Sequence, residues 1–151
     1  FKVLFMNVFT IGFTKKSAEH FFNELKDNNV KKIIDVRLNN ISQLSGFAKK
    51  NDLIFFLEKL CGIDYIHLDE LAPTKSILEP YQKKKITWEQ YEIEFINLME
   101  RRSIEKSINI AEMDKSCLLC SEDKPHFCHR RLVLQYLNSK MDNIFKVRHL
   151  L

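Results

Sequence analysis

"SCLLCSEDKPHFCHRRL", residues 116–132, joins a short apolar run to a polar turn and then to an amphipathic stretch. The run "SCLLC" reads as a strand buried on both faces, as in a parallel sheet. Pro125 reads as the opening of a helix, with Val133, Leu134, Leu137 and Met141 as its buried stripe. A strand followed directly by a helix is half of a βαβ unit. Whether that unit recurs decides the fold.

It recurs in both directions. Upstream, Val3 to Ile11 is a strand closed by Gly12. Ser17 then caps a helix with Glu19 in its first turn and Ala18, Phe21, Phe22 and Leu25 on its apolar face. "KKIIDVR" is a second strand ending near Arg37. Asn51 begins a helix buried through Leu53, Phe56, Leu57 and Leu60 and stopped by Gly62. "DYIHL" is a third strand, and Asp69 to Ile86 reads as a long irregular stretch, a candidate lid. Thr87 and Gln90 form a capping box for a helix that turns Trp88, Tyr91, Phe95 and Leu98 inward. Ser103 marks a break before a further helix to about Met113, and "IFKVRHL" is the fifth strand. The expectation is one α/β domain over residues 1–151, a mainly parallel five-stranded sheet with helices on both faces.

Composition agrees with one core. Of 151 residues 45% are apolar, twelve are phenylalanine, and only three each are glycine and proline, which suits a packed interior and excludes a disordered or fibrous chain. A net charge of +4, from 24 basic against 20 acidic residues, permits a phosphate-bearing partner without arguing for one. Cys61, Cys117, Cys120 and Cys128 lack the spacing of a secreted disulfide framework, so reduced thiols and a cytoplasmic location are expected. The opening "FKVLFMNVFTIGF" reads as strand rather than leader, and no apolar run approaches bilayer length.

In parallel sheets ligands bind beyond the carboxyl ends of the strands. There this sequence places Thr10, Gly12, Thr14 and Lys15 after strand one, Asp35 and Arg37 on strand two, His67 on strand three, the 120–130 segment after strand four, and Arg148 and His149 on strand five.

The residues at these ends also resemble a family. "TIG" at 10–12, "IIDVR" at 33–37, "YIHL" at 65–68 and Cys120-x-Glu122-x-x-Pro125-x-x-Cys128-His129-Arg130 are similar to DUF488, a group of uncharacterised bacterial and archaeal proteins. The resemblance covers nearly the whole chain. It implies an α/β fold and a shared pocket, and no settled activity. Two positions depart from it: Phe13 stands where the family often has histidine, and Ser42-Gln43 where it often has Ser-Arg.

Three chemistries compete for the 120–130 segment. Zinc is suggested by Cys117-x-x-Cys120 with Cys128-His129, but alternation along a strand sends Cys117 and Cys120 to opposite faces, so no metal and no cofactor are expected. A nucleophilic cysteine is suggested by Cys128 at a helix start beside histidine and arginine, with Cys120 facing it. "IIDVR" also resembles the second strand of rhodaneses, which implies sulfur transfer, but the glycine-rich turn that would cradle a persulfide is missing from this loop. Anion binding is suggested by the helix start together with Arg37 and Arg130. Stepping back along the helix stripe puts Arg130 on the buried face and Arg131 outside; Asp35 is expected to pair with Arg37, and Asp35 or Glu122 to neutralise Arg130.

The expected function is therefore an Arg/Glu/Cys/His pocket at the carboxyl edge for an anionic small molecule or nucleic acid. Were the protein an enzyme, Cys120 or Cys128 would be the nucleophile, Glu122 and His129 the acid–base groups. Arg37 and Arg130 would clamp the ligand, with Thr10, Gly12, Asp35, His67 and His149 around it. The alternative is a non-catalytic nucleic-acid module using "KKKITW" with Tyr81 and Trp88.

Overall fold

A computed structural model describes residues 5–41 and 46–151, which leaves Ser42-Gln43 and the first residues of the expected strand one outside the described part. Five strands form one sheet: β1 (Met6–Gly12), β2 (Lys32–Asp35), β3 (Asp64–His67), β4 (Ser116–Cys120) and β5 (Phe145–Leu150). Their order is β3-β2-β4-β1-β5 and every pairing is parallel.

The burial follows from that order. β4 lies at the centre and is buried at all five positions, whereas the edge strand β3 alternates between exposed and half-buried. A central parallel strand must be apolar on both faces and an edge strand need not be.

Helices cover both faces. One face packs Ile11, Ile33, Cys117 and Leu119 against α1 (Ala18–Asp27) and α2 (Lys50–Phe56). The other packs Val8, Ile34, Leu118 and Cys120 against α3 (Lys75–Gln82), α4 (Trp88–Arg102), α5 (Ile104–Ser107) and α6 (His129–Lys140). Cys117 and Cys120 accordingly face opposite layers, as alternation requires. The expected caps are present: Ser17 Oγ accepts from the His20 amide, and Thr87 and Gln90 close a reciprocal box. Among the described residues no helix is long and apolar enough to cross a membrane.

Three expectations are corrected. The stretch from Asp69 to Ile86 is not irregular but holds a short 3-10 turn and α3, with Pro80 inside that helix. Proline removes one amide donor and argues against helix in sequence; here Ile77 is buried and Tyr81 packs on Trp88 and Tyr91, which holds the short helix in place. Leu60 is 53% exposed rather than buried. A π-type turn over Leu57–Cys61 inserts a residue into the helical repeat and rotates Leu60 outward, before Gly62 at φ 64 ends the element. Pro125 does not open the final helix: α6 starts at His129 with Cys128 as an extended N-cap, and residues 121–128 form a loop.

The strand order also positions the site. From β1 to β2 to β3 the chain moves toward one edge with α1 and α2 on one face. From β3 to β4 to β5 it returns toward the other edge with α3–α6 on the opposite face. The connections leaving β2 and β4, which are neighbours, therefore diverge to opposite faces and open a crevice between their carboxyl ends. Those leaving β1 and β4 cross over one another, so their loops meet.

Candidate functional site

The crevice between β2 and β4 is a cavity of about 550 Å³, within the range of small-ligand sites. Arg37, Leu38 and Asn39 line it from the β2 end and Cys120, Ser121 and Glu122 from the β4 end. Cys128 and His129 line it from the start of α6, and Lys75, Glu79 and Tyr81 from α3. Trp88 and Tyr91 of α4 and Phe127 of the loop complete the wall.

At its floor the end of β4 meets the start of α6. Cys120, Cys128 and His129 are all buried, with donor atoms within 4.8 Å of one another, and among the described residues they are the only such group of metal-ligating type. Three donors are what a metal with an open position takes. A four-ligand set with Cys117 is excluded, as strand alternation anticipates, since that thiol lies in the other layer. His129 Nε2 is 2.6 Å from the Val36 carbonyl oxygen, to which it donates, and Nδ1 is 3.7 Å from Cys120 Sγ. The imidazole is thus held between a backbone acceptor and a thiol.

The electrostatics separate the two cysteines. A hydrogen bond from the Cys128 thiol, aided by the charges of His129 and Arg130, brings Cys120 well below the ordinary thiol range against the opposing effect of burial. Burial, together with the Cys120 thiolate, pushes Cys128 well above it. Burial alone would lower His129, but the charge and hydrogen bond of Cys120 outweigh it and raise the imidazole above its usual value. The arrangement favours a Cys120 thiolate beside a His129 imidazolium, with Cys128 retained as the neutral donor.

Arg37 has the expected carboxylate partner, and Arg130 does not. Arg37 donates to both carboxylate oxygens of Asp35, at 2.9 Å from Nε and 2.7 Å from Nη2, and to the Ala48 carbonyl at 2.8 Å. Asp35, fully buried, also accepts from the Arg37 amide and the Tyr65 hydroxyl. Among the described residues three of the five guanidinium N–H groups have partners, on a side chain that lines the cavity. Arg130 is 0% exposed and is not part of the lining. Its partners are the Thr10 hydroxyl and the carbonyl oxygens of Glu122 and Asp123. The expected carboxylate neutralisation of Arg130 is corrected: backbone carbonyls, which no sequence motif displays, satisfy it instead. Arg131 is half-buried and bonds Gln135 and the His126 carbonyl.

The remaining expected residues lie beneath the site rather than around the cavity. His67 Nε2 is 2.7 Å from the Arg37 carbonyl and 3.3 Å from Asp69, securing the end of β2. Thr10 accepts from Arg130, which leaves its hydroxyl proton for His149 Nδ1. Gly12 is where the crossing connections touch. A Cβ there would sit 1.6 Å from the Glu122 carbonyl oxygen, so the position admits only hydrogen. Thr14 bonds the Ser121 carbonyl through both its amide and its hydroxyl, and the almost fully buried Lys16 pairs with Asp123 at 2.8 Å. Lys16 escaped the sequence reading because a lysine in a polar loop carries no sign of burial. Phe127 escaped it too, although one aromatic ring in an otherwise polar turn was a usable signal.

His149 supplies a pH test. Burial, then the charge of Arg130 with Arg131 and His126 adding, lowers its pKa. In acid the unfolded chain binds a proton at about pH 6.5 that the folded chain resists, so stability falls as pH drops through the histidine range. Urea midpoints should decline with acid in the native protein and less steeply in His149→Asn. Equal slopes would remove His149 from the account.

A family model described as "Domain of unknown function DUF488" matches residues 17–137. No curated protein and no solved structure matches the chain.

Proposed function

The chain belongs to the DUF488 family, and from that premise we propose that the protein is a thiol-dependent catalyst that binds a small anionic ligand at the crevice between β2 and β4. One observation carries the reading: Cys120 opens onto the cavity with the Cys128 thiol and the His129 imidazole both directed at it. An activated nucleophile needs a lowered pKa and an oriented base, and this group supplies both.

The chemistry follows from the geometry. Cys120 Sγ attacks an electrophilic centre of the ligand, and the bond from that centre to its leaving group breaks. His129 Nδ1 returns a proton to the departing group, while its Nε2–H remains on the Val36 carbonyl. The Arg37 guanidinium, which lines the cavity, takes the ligand's negative charge, and Glu122, exposed at the mouth, assists proton transfer. Water then releases the ligand from sulfur.

The test is alkylation of the thiols by iodoacetamide across pH, resolved by mass spectrometry. An ordinary thiol of pKa about 8.5 is only a few per cent thiolate at neutral pH. Cys120 should therefore react on the order of tenfold faster at neutral pH than an ordinary accessible thiol, with an inflection displaced to acid. Cys128→Ala should move that inflection upward, because it removes the donor that stabilises the thiolate. Cys120→Ser should abolish the fast phase. An ordinary inflection would defeat the reading, and one equivalent of zinc in protein purified without chelator would reassign the thiol group to metal binding. The rival nucleic-acid module rests on exposed Lys83–Lys85 beside Trp88, and predicts salt-dependent binding of mixed DNA or RNA.

A further inference from the structure

The wall of the cavity points to the kind of ligand, an inference that rests on the reading of the pocket just given. Aromatic rings run from its rim to its floor. Phe127 meets Trp88 at 5.5 Å and 68°, Trp88 stacks on Tyr91 at 5.2 Å and 28°, Tyr91 stacks on Phe95 at 6.0 Å, and Phe95 lies 5.4 Å from His129. Tyr91 and Phe95 are core residues, at 1% and 0% exposure. Core packing accounts for them and does not account for the outer end. Phe127 is 60% exposed, and both it and the half-buried Trp88 line the cavity.

Unlike the exposed Phe55 and Ile93, Phe127 lies at the mouth of the cavity, where a ligand would cover its ring. Angled rings at van der Waals range offer a third planar ring both stacked and edge contacts. The charged lining supplies the complement. Among the described residues Arg37 has partners for three of its five guanidinium N–H groups, and Lys75 on the facing helix pairs with Glu79 Oε1 at 3.6 Å, which leaves the other Glu79 oxygen and Glu122 as acceptors suited to hydroxyl groups.

We propose that the ligand is a planar aromatic anion, its ring packed at Trp88 and Phe127 and its acidic group toward Arg37. A nucleoside monophosphate and a simple aryl phosphate share this chemistry. They differ in the sugar hydroxyls that Glu79 and Glu122 would accept.

Trp88 is the only tryptophan of the chain, so its fluorescence reports on the rim directly. The full chain is titrated with adenosine 5′-monophosphate, phenyl phosphate and ribose 5-phosphate. The first two should quench saturably. Ribose 5-phosphate, which lacks the ring, should bind about fivefold to a hundredfold more weakly than the nucleotide, the range for loss of one stacked base. Phe127→Leu keeps apolar bulk without a ring and should weaken the nucleotide by a similar factor, whereas Phe127→Tyr should restore it. A nucleotide preferred over phenyl phosphate supports reading of the sugar, and equal affinities support ring and charge alone. Ribose 5-phosphate binding as tightly as the nucleotide, or Phe127→Leu binding as tightly as the native protein, overturns the proposal. Iodoacetamide reactivity of Cys120 without ligand separates the two readings. A reactive thiol with no quenching defeats the ring assignment alone, and an unreactive thiol defeats the catalytic reading.

Discussion

Gly12→Ala should be among the most damaging single substitutions in the chain, although it adds one methyl group. The added carbon would lie 1.6 Å from the Glu122 carbonyl oxygen and 2.5 Å from its carbon, which are backbone atoms and have no rotamer to escape into. The 121–124 loop must therefore move. That loop supplies two carbonyl acceptors to Arg130, a fully buried guanidinium, and moving it leaves the charge uncompensated. Breaking one side of a buried charge arrangement costs about 3–5 kcal/mol, a large part of the stability of a domain this size. Urea denaturation gives the loss directly. A cost below about 1 kcal/mol, the level of ordinary surface changes and small repacking, would mean that the loop shifts freely and Arg130 finds other partners.

Asp35→Ala should be comparably severe. It strands Arg37, 3% exposed, and leaves the Tyr65 hydroxyl and the Arg37 amide without their carboxylate. About 3–5 kcal/mol is again the expected loss. The double change Asp35→Leu with Arg37→Met removes both charges and should recover much of it, because two apolar side chains need no compensation. With Asp35→Leu and Arg37→Met also measured singly, strict additivity in that cycle would show that the pair does not act as a unit. On the anion-binding reading proposed above, the same double variant should lose that affinity even where it folds, since Arg37 is the member that faces the cavity.

The architecture was legible because period and burial agree in the strands. "SCLLC" and the "II" of "KKIIDVR" are continuous apolar runs, and they became the central strands β4 and β2. What escaped had a local sign pointing the wrong way. Pro80 argued against a helix that tertiary contacts hold in place, and the regular spacing of Leu53, Leu57 and Leu60 did not disclose the π-type turn that breaks its phase.

Within the site, Cys120, Cys128 and His129 were visible as a motif because they are close in sequence. Helical phase also placed Arg130 on the buried side correctly. Its partners were unreadable, because two are backbone carbonyls brought into reach by the crossing of two loops. Gly12 reads as a ligand contact in sequence for the same reason. Sequence shows that a glycine is there, and only the strand order shows that another loop occupies the space.

That strand order carries a consequence for how the chain acquires its fold. β1 and β2 share no ladder; each pairs with β4, which begins at residue 116. During synthesis the ribosome must release most of the polypeptide before the two early strands can be joined. Until then β1 has neither of its neighbours, and the thiol of Cys120 has no cavity to face. Such late, long-range closure slows folding and leaves open strand edges available to other chains. Nascent chains stalled before β4 should therefore be protease-sensitive and prone to associate, and the cluster of Cys120, Cys128 and His129 should arise in one step with insertion of the central strand.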